Sequence, residues 1–130
     1  EAGSAVYLQY SYVRINSILR KISETFGEID LSKLEKEEIS FTSMSEFDLA
    51  KKLMVFPEIV LKSQQMDSPH QICTYLEELA QLFNSFYGEV SILKTEDQKL
   101  RESRVALCKG VAAVIEKGLS LLGIKVPEKM

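Results

Sequence analysis

The sequence reads as one all-α domain, an antiparallel helical bundle of about four main helices with room for one short extra helix. Three observations carry that reading. Four segments place apolar residues at three- and four-residue steps. No segment alternates apolar and polar residues between turn signals as a strand does. And 130 residues suffice to bury one core but not two comfortable ones, so positions 1–130 are taken as a single domain.

The first helix is expected over Ala5 to Phe26. Leu8, Tyr12, Ile15, Leu19, Ile22 and Phe26 form its apolar stripe, and Gly27 stops it. From Glu28 to Thr42 the periodicity dissolves into a stretch where five acids outweigh Lys33 and Lys36, read as a connection that has room for one short helix. The second helix opens at Ser43, because Ser43-x-x-Glu46 has the spacing of a capping box. It continues through Leu49, Leu53, Phe56 and Val60. Pro57 inside it removes a backbone hydrogen bond and crowds the preceding turn, which predicts a kink near Val55-Phe56 or two consecutive helices.

The third helix is expected to start at Ser68-Pro69, serine as cap and proline where its missing N–H costs nothing, and to end at Gly88. Its stripe is Ile72, Leu76, Leu79, Phe83 and Phe86. The fourth is expected to start near Thr95-x-x-Gln98, a second capping-box spacing, and to run through Val105, Cys108, Val111, Ala112, Ile115, Leu119 and Leu122 to Gly123.

Composition narrows the function. The formal net charge of −3 argues against a generic nucleic-acid binder, whose affinity comes from clustered Lys and Arg, so any RNA contact must be local. No apolar run approaches the roughly 18–20 residues that span a bilayer. The N-terminus, Glu1-Ala2-Gly3-Ser4, has neither an initiator Met nor a signal pattern and reads as a point inside a longer chain. Cys73 and Cys108 fall in helical apolar patterns and are expected to be reduced core thiols, in keeping with a cytoplasmic protein.

Catalytic chemistry finds no support. The single His70 cannot supply H-E-x-x-H, and with two distant cysteines it makes a poor zinc set. The six glycines form neither G-x-G-x-x-G nor G-x-x-x-x-G-K. Carboxylates lie in solvated runs such as Glu35-x-Glu37-Glu38 with no identifiable partner. No nucleophile, base or cofactor set emerges.

One feature of the first helix stands apart. Winding it at about 100° per residue brings Tyr7, Tyr10 and Arg14 within roughly 60° of one another, extended by Ser17 and Lys21, on a face roughly 140° from the centre of the apolar stripe. A neighbouring helix that covers the rings explains this face as packing. A stacking platform explains it as function, since an unstacked base on an aromatic ring is worth about 1–3 kcal/mol while a nearby cation takes a phosphate or a base edge. Winding alone does not choose between them.

Those residues stand in the string Tyr7-Leu8-Gln9-Tyr10-Ser11-Tyr12-Val13-Arg14, which resembles the Y-x-Q-Y-x-x-x-R opening of the anticodon-binding, or DALR, domain of arginyl-tRNA synthetases. Phe56-Pro57-Glu58-Ile59-Val60 is similar to the family's F-P-E-V-V. Pro69 through Leu76 is similar to its P-x-x-[IVL]-x-x-Y-L segment, which Leu79 through Tyr87 continues. Arg104-Val105-Ala106-Leu107 resembles R-L-x-L, and Gly118 through Ile124 with Pro127-Glu128-Lys129-Met130 resembles the family's ending. The resemblance covers nearly the whole chain in order. It departs at Glu28–Thr42, and at Glu102-Ser103-Arg104 where the eponymous motif is loose.

The resemblance implies a helical bundle of the class I synthetase anticodon-binding type, non-catalytic by itself, at the C-terminus of an arginine-tRNA ligase. It implies that Tyr7, Tyr10, Arg14, Tyr75 and Met130 face the anticodon loop, Tyr75 being equally readable as a core tyrosine, and Ser17 and Lys21, which continue the same face by winding, are taken with them as candidate contacts. The implied partners are arginine tRNA and the catalytic domain of the same chain, in a monomeric cytoplasmic enzyme with no DNA or membrane partner. ATP and Mg2+ serve that catalytic domain, whose H-I-G-H and K-M-S-K-S signatures are missing from these residues, and no cofactor or metal is expected in this segment. Two other readings compete: a helical protein-interaction module that uses the tyrosine face as a hot spot, and the related domain of the glycyl-tRNA synthetase β subunit.

Overall fold

The computed structural model describes residues 2–31 and 41–128. Among them it has five helices: α1 (Ala2–Phe26), α2 (Met44–Met54), α3 (Phe56–Met66), α4 (His70–Glu89) and α5 (Gln98–Leu121). The predicted second helix is thus two. Val55, at φ −90° and ψ 0°, ends α2 and opens α3, and Pro57 takes the first turn of α3, where its missing N–H removes no hydrogen bond. The short helix expected between Glu28 and Thr42 falls mostly on residues 32–40, outside the described residues.

Side-chain pairs give the helix directions. Phe26 meets Arg101, Tyr12 meets Glu116 and Gln9 meets Lys125, so α1 and α5 run antiparallel. Tyr7 and Arg14 meet Asn84 and Tyr87 of α4, which runs alongside α1 in the same direction. Glu46 with Arg104 and Leu53 beside Gly110 set α2 parallel to α5. The bundle is therefore antiparallel in α5 against both α1 and α4, while α1 and α4 share one direction.

The predicted stripe of α4 is buried throughout, with Leu76, Leu79 and Phe86 at zero exposure. Each such side chain contributes roughly 1.5–3 kcal/mol on leaving water. Leu76 also fixes how near α5 comes: a Cβ placed on Gly118 would stand 2.7 Å from Leu76 Cδ1. At Gly27 and Gly123, φ of +78° is what ends α1 and lets the chain turn after α5, where Ile124 N–H closes on Leu119 O at 2.8 Å.

Two caps differ from the sequence reading. Ser68 does not cap α4: Pro69 holds the cap position with no side-chain hydrogen bond, and the Ser68 carbonyl instead accepts from the Ser63 hydroxyl. Thr95 does not cap α5 either. Asp97 does, accepting from the N–H groups of Lys99 at 2.9 Å and Leu100 at 3.2 Å. Thr95 is buried, accepts from Arg104 Nη1 at 2.8 Å and donates to Ser91 O, so its hydroxyl belongs to the loop before α5.

At Ser43 the cap is as expected, its hydroxyl accepting from Glu46 N–H at 3.3 Å. The Glu46 carboxylate returns to the Ser43 hydroxyl and not to its backbone N–H. It is fully buried, and its Oε1 accepts from Ser43, Thr42 and Arg104 Nη2, the last at 3.2 Å. Oε2 has no partner among the described residues, so the ion pair rests on one oxygen. Cys108 is buried and Cys73 half-buried; both are free thiols. Burial pushes the Cys108 thiol up to about 12, and burial followed by the Glu77 carboxylate raises that of Cys73.

Tyr75 is a core residue, 2 % exposed, stacked on Phe56 with centroids 5.5 Å apart and donating its hydroxyl to Lys52 O at 2.6 Å. Burial pushes its phenol up from 10.0 to about 12. The neutral ring therefore gives its full stabilisation below pH 10, and that stabilisation is lost as pH climbs from 10 to about 12. Tyr75→Phe is expected to cost about 1 kcal/mol of stability near neutrality and to flatten this alkaline loss, both read by urea unfolding across pH. Arg104→Ala strands the buried Glu46 carboxylate and is expected to cost about 3–5 kcal/mol. Arg104→Met combined with Glu46→Gln removes both charges and should recover most of that loss in the same assay.

Candidate nucleic-acid interface

Helix α1 buries Leu8, Ser11, Ile15, Ile18 and Ile22, with Tyr12, Leu19 and Phe26 only half-buried. Its core-facing centre is thus rotated by about 40° from the predicted stripe, toward the side that carries Tyr7 and Arg14. Ser11 permits this because its hydroxyl is satisfied inside the helix, donating to Tyr7 O at 2.9 Å. The tyrosine face consequently lies about 100° from the buried centre, at the rim of the bundle instead of its far side. Exposure follows the same order: Tyr7, nearer the core, is 36 % exposed and Tyr10 57 %.

The rotation brings the face against one side of α4. Arg14 Nη1 donates to Asn84 Oδ1 at 2.6 Å, and Asn84 Nδ2 donates to the Tyr7 hydroxyl at 3.3 Å. The Arg14 guanidinium also lies 5.6 Å from the centroid of Tyr87. Tyr87 is backed by Phe83, whose ring stacks nearly parallel to it, 9° apart in plane with centroids 6.0 Å apart. The result is a shallow surface with two tyrosine rings at its sides, one cation between them and Tyr10 projecting beside it. It offers aromatic faces and hydrogen-bond donors, the equipment for holding splayed, unpaired bases.

Of the residues singled out from the sequence, Tyr7, Tyr10 and Arg14 share this surface. Ser17 and Lys21 continue it along α1. Lys21 is exposed, while the Ser17 hydroxyl accepts from Arg20 Nη2 at 3.2 Å and so steadies a second cation. Tyr75 is not there. It stands nine residues before Asn84 on α4, about 180° around the helix, and its ring and hydroxyl are spent on α3 and α2. Met130 lies outside the described residues. Near that end, Gln9 Nε2 donates to Lys125 O at 2.8 Å and ties the segment after α5 to α1.

Sequence reasoning missed Asn84 and Tyr87. Winding α4 around its stripe places Tyr75 and Tyr87 about 60° to either side of the centre, so both qualify equally as rim residues. Which one meets α1 depends on the order of helices around α4. Among the described residues no group of three His, Cys, Asp or Glu side chains is placed to hold a metal ion, and no helix is long and apolar enough to cross a membrane.

Residues 8–130 match the family model described as the DALR anticodon binding domain. The whole chain is 44% identical to the arginine–tRNA ligase of Thermococcus kodakarensis, of which it covers 20%. It is 43% identical over its full length to that of Buchnera aphidicola from Schizaphis graminum, of which it covers 21%. It therefore spans about a fifth of the length of these curated relatives. Among solved structures, the Thermus thermophilus arginyl-tRNA synthetase superposes with a TM-score of 0.76 at 34% identity, over 95% of this chain and 21% of that one. The Plasmodium falciparum enzyme superposes with 0.76 at 29% identity, over 96% and 21%. With one family model spanning nearly its full length, the chain belongs to the DALR anticodon-binding domain family.

Proposed function

We propose that the surface formed by Tyr7, Tyr10, Arg14, Asn84 and Tyr87, prolonged by Lys21, receives the anticodon loop of an arginine tRNA. The domain does so as the C-terminal part of a longer arginine-tRNA ligase, a monomeric cytoplasmic enzyme whose separate catalytic domain joins arginine to the tRNA using ATP and Mg2+. The observation that carries the reading is the convergence of two helices on one open surface of rings and donors. The residues described here do not suit ATP and its metal, having no fitting cluster of acids and histidine and no glycine-rich loop. Two free thiols fit a reducing compartment.

Every standard arginine codon has G in the middle, so every arginine anticodon has C there while its neighbours vary. The domain stacks splayed bases on its tyrosines and reads the middle cytosine by hydrogen bonds to its Watson–Crick edge. With a net charge of −3 the domain has little bulk attraction for phosphate. Discrimination therefore rests on a few base contacts, and phosphate attraction falls mainly to the rest of the enzyme.

The test is equilibrium binding of the full-length synthetase to arginine tRNA at fixed moderate salt. Tyr10→Ala and Arg14→Ala are each expected to weaken binding about 5- to 100-fold, the worth of one stacked or charge-assisted contact. Tyr75→Phe should change it less than about twofold, being a core change. Replacing the middle anticodon C by G should weaken wild-type binding by roughly tenfold or more. Equal affinity for the two tRNAs removes base reading from this surface.

A further inference from the structure

The Asn84 side chain lies between two residues of α1 that stand seven positions apart. Side chains on a helix lean toward its N-terminus, so Arg14 reaches back to the level at which Tyr7 emerges, and one amide touches both. Its orientation is fixed by what each partner can do. A guanidinium has only donors, so the group facing Arg14 must be the amide oxygen. The NH2 then faces Tyr7, whose hydroxyl oxygen accepts from it at 3.3 Å. A phenol that accepts from within the protein keeps its own O–H free to point outward as a donor.

We propose that Asn84 is a positioning residue that sets the hydrogen-bond polarity of the anticodon surface, making Tyr7 an outward donor beside the donor-only Arg14. The inference rests on the reading of this surface as the anticodon site. Arg14 spends Nη1 on Asn84 and keeps its other N–H groups for a ligand. The surface thus presents two neighbouring donors, from Tyr7 and Arg14. Cytosine offers two adjacent acceptors, N3 and O2, on its Watson–Crick edge. Guanine offers the donors N1–H and N2–H2 at the corresponding positions and leaves the site's donors facing donors. The amide achieves this without charge. A carboxylate in its place would still accept from Arg14, but it would also take the Tyr7 proton inward and neutralise the cation. Holding a long arginine and a phenol in one arrangement before binding also reduces the ordering that binding requires.

Asn84→Asp in the full-length synthetase tests this directly, because it keeps both contacts while reversing the Tyr7 hydrogen bond. The preference for arginine tRNA with C over G at the middle anticodon position, read from the two dissociation constants, is expected to fall roughly threefold to tenfold. Adding Tyr7→Phe to Asn84→Asp should cost no further preference, since both remove the same donor, whereas Tyr7→Phe alone should cost about as much as Asn84→Asp alone. The unfolding temperature should stay within about 2 °C of wild type, Asn84 being solvent-exposed. An unchanged preference in Asn84→Asp, losses that multiply in the double variant, or an equal weakening toward both tRNAs would each overturn the proposal. If Tyr10→Ala and Arg14→Ala leave affinity intact, the anticodon reading itself fails. If they weaken it while Asn84→Asp keeps its preference, only the role of Asn84 fails.

Discussion

Every other helix among the described residues packs against α4, and the depth at which α5 meets it is fixed where Leu76 lies against the bare backbone of Gly118. Because α4 and α5 come that close, α1 rests against both and must bury a broad face. That is why five residues from Leu8 to Ile22 line its contact and the half-buried Tyr12, Leu19 and Phe26 pack beside them. Ser11 is the small, self-satisfied residue at which such a face can widen without leaving a polar group unpaired. The same packing divides α4 into two rims. One carries Tyr75 into the angle between α2 and α3, and the other carries Asn84 and Tyr87 to the edge of α1.

The surface that joins Tyr7, Arg14, Asn84 and Tyr87 exists because of that division. A tyrosine and an arginine on the far side of α1 would be a solvated surface with nothing to hold the arginine. The rotation of α1 by about 40° brings them to a helix whose exposed polar residue can bond both. The backing of Tyr87 by Phe83, itself only 2 % exposed, then anchors one wall of the surface directly in the core. On the opposite side of the bundle the buried Glu46–Arg104 pair does a different job. It joins the start of α2 to α5 and, through Thr95, to the loop between α4 and α5.

The sequence carried the helices, most of their buried stripes and the common face of Tyr7, Tyr10 and Arg14, because those depend on local periodicity and on glycine and proline chemistry. The α4 stripe Ile72–Leu76–Leu79–Phe83–Phe86 was fully legible, and so were the stops at Gly27 and Gly123. What escaped required knowing neighbours. Thr95 has the spacing of a cap, yet Arg104 from the next helix claims its hydroxyl and Asp97 caps instead. Tyr75 and Tyr87 flank the stripe symmetrically, and only the placement of α1 separates a core phenol from a surface one. The rotation of α1 was hidden for a related reason: Ser11 reads as polar until its hydroxyl is seen to bond within its own helix.

The acidic balance of the chain does not conflict with an RNA-facing surface, because the acids nearest the packing are already engaged. Glu46 is spent on Arg104, Glu78 on Lys52 and Glu116 on the Tyr12 hydroxyl. Desolvation first, and then the Glu116 carboxylate, raises the Tyr12 phenol, whose hydroxyl donates to that carboxylate at 2.9 Å. Carboxylates farther away than the roughly 8 Å screening length at physiological salt act weakly on a bound base. A surface built this way gains little from counterion release and much from geometry. On the proposed reading, discrimination is set by which atoms of a base meet Tyr7, Tyr10 and Arg14, and depends much less on salt than overall affinity for tRNA.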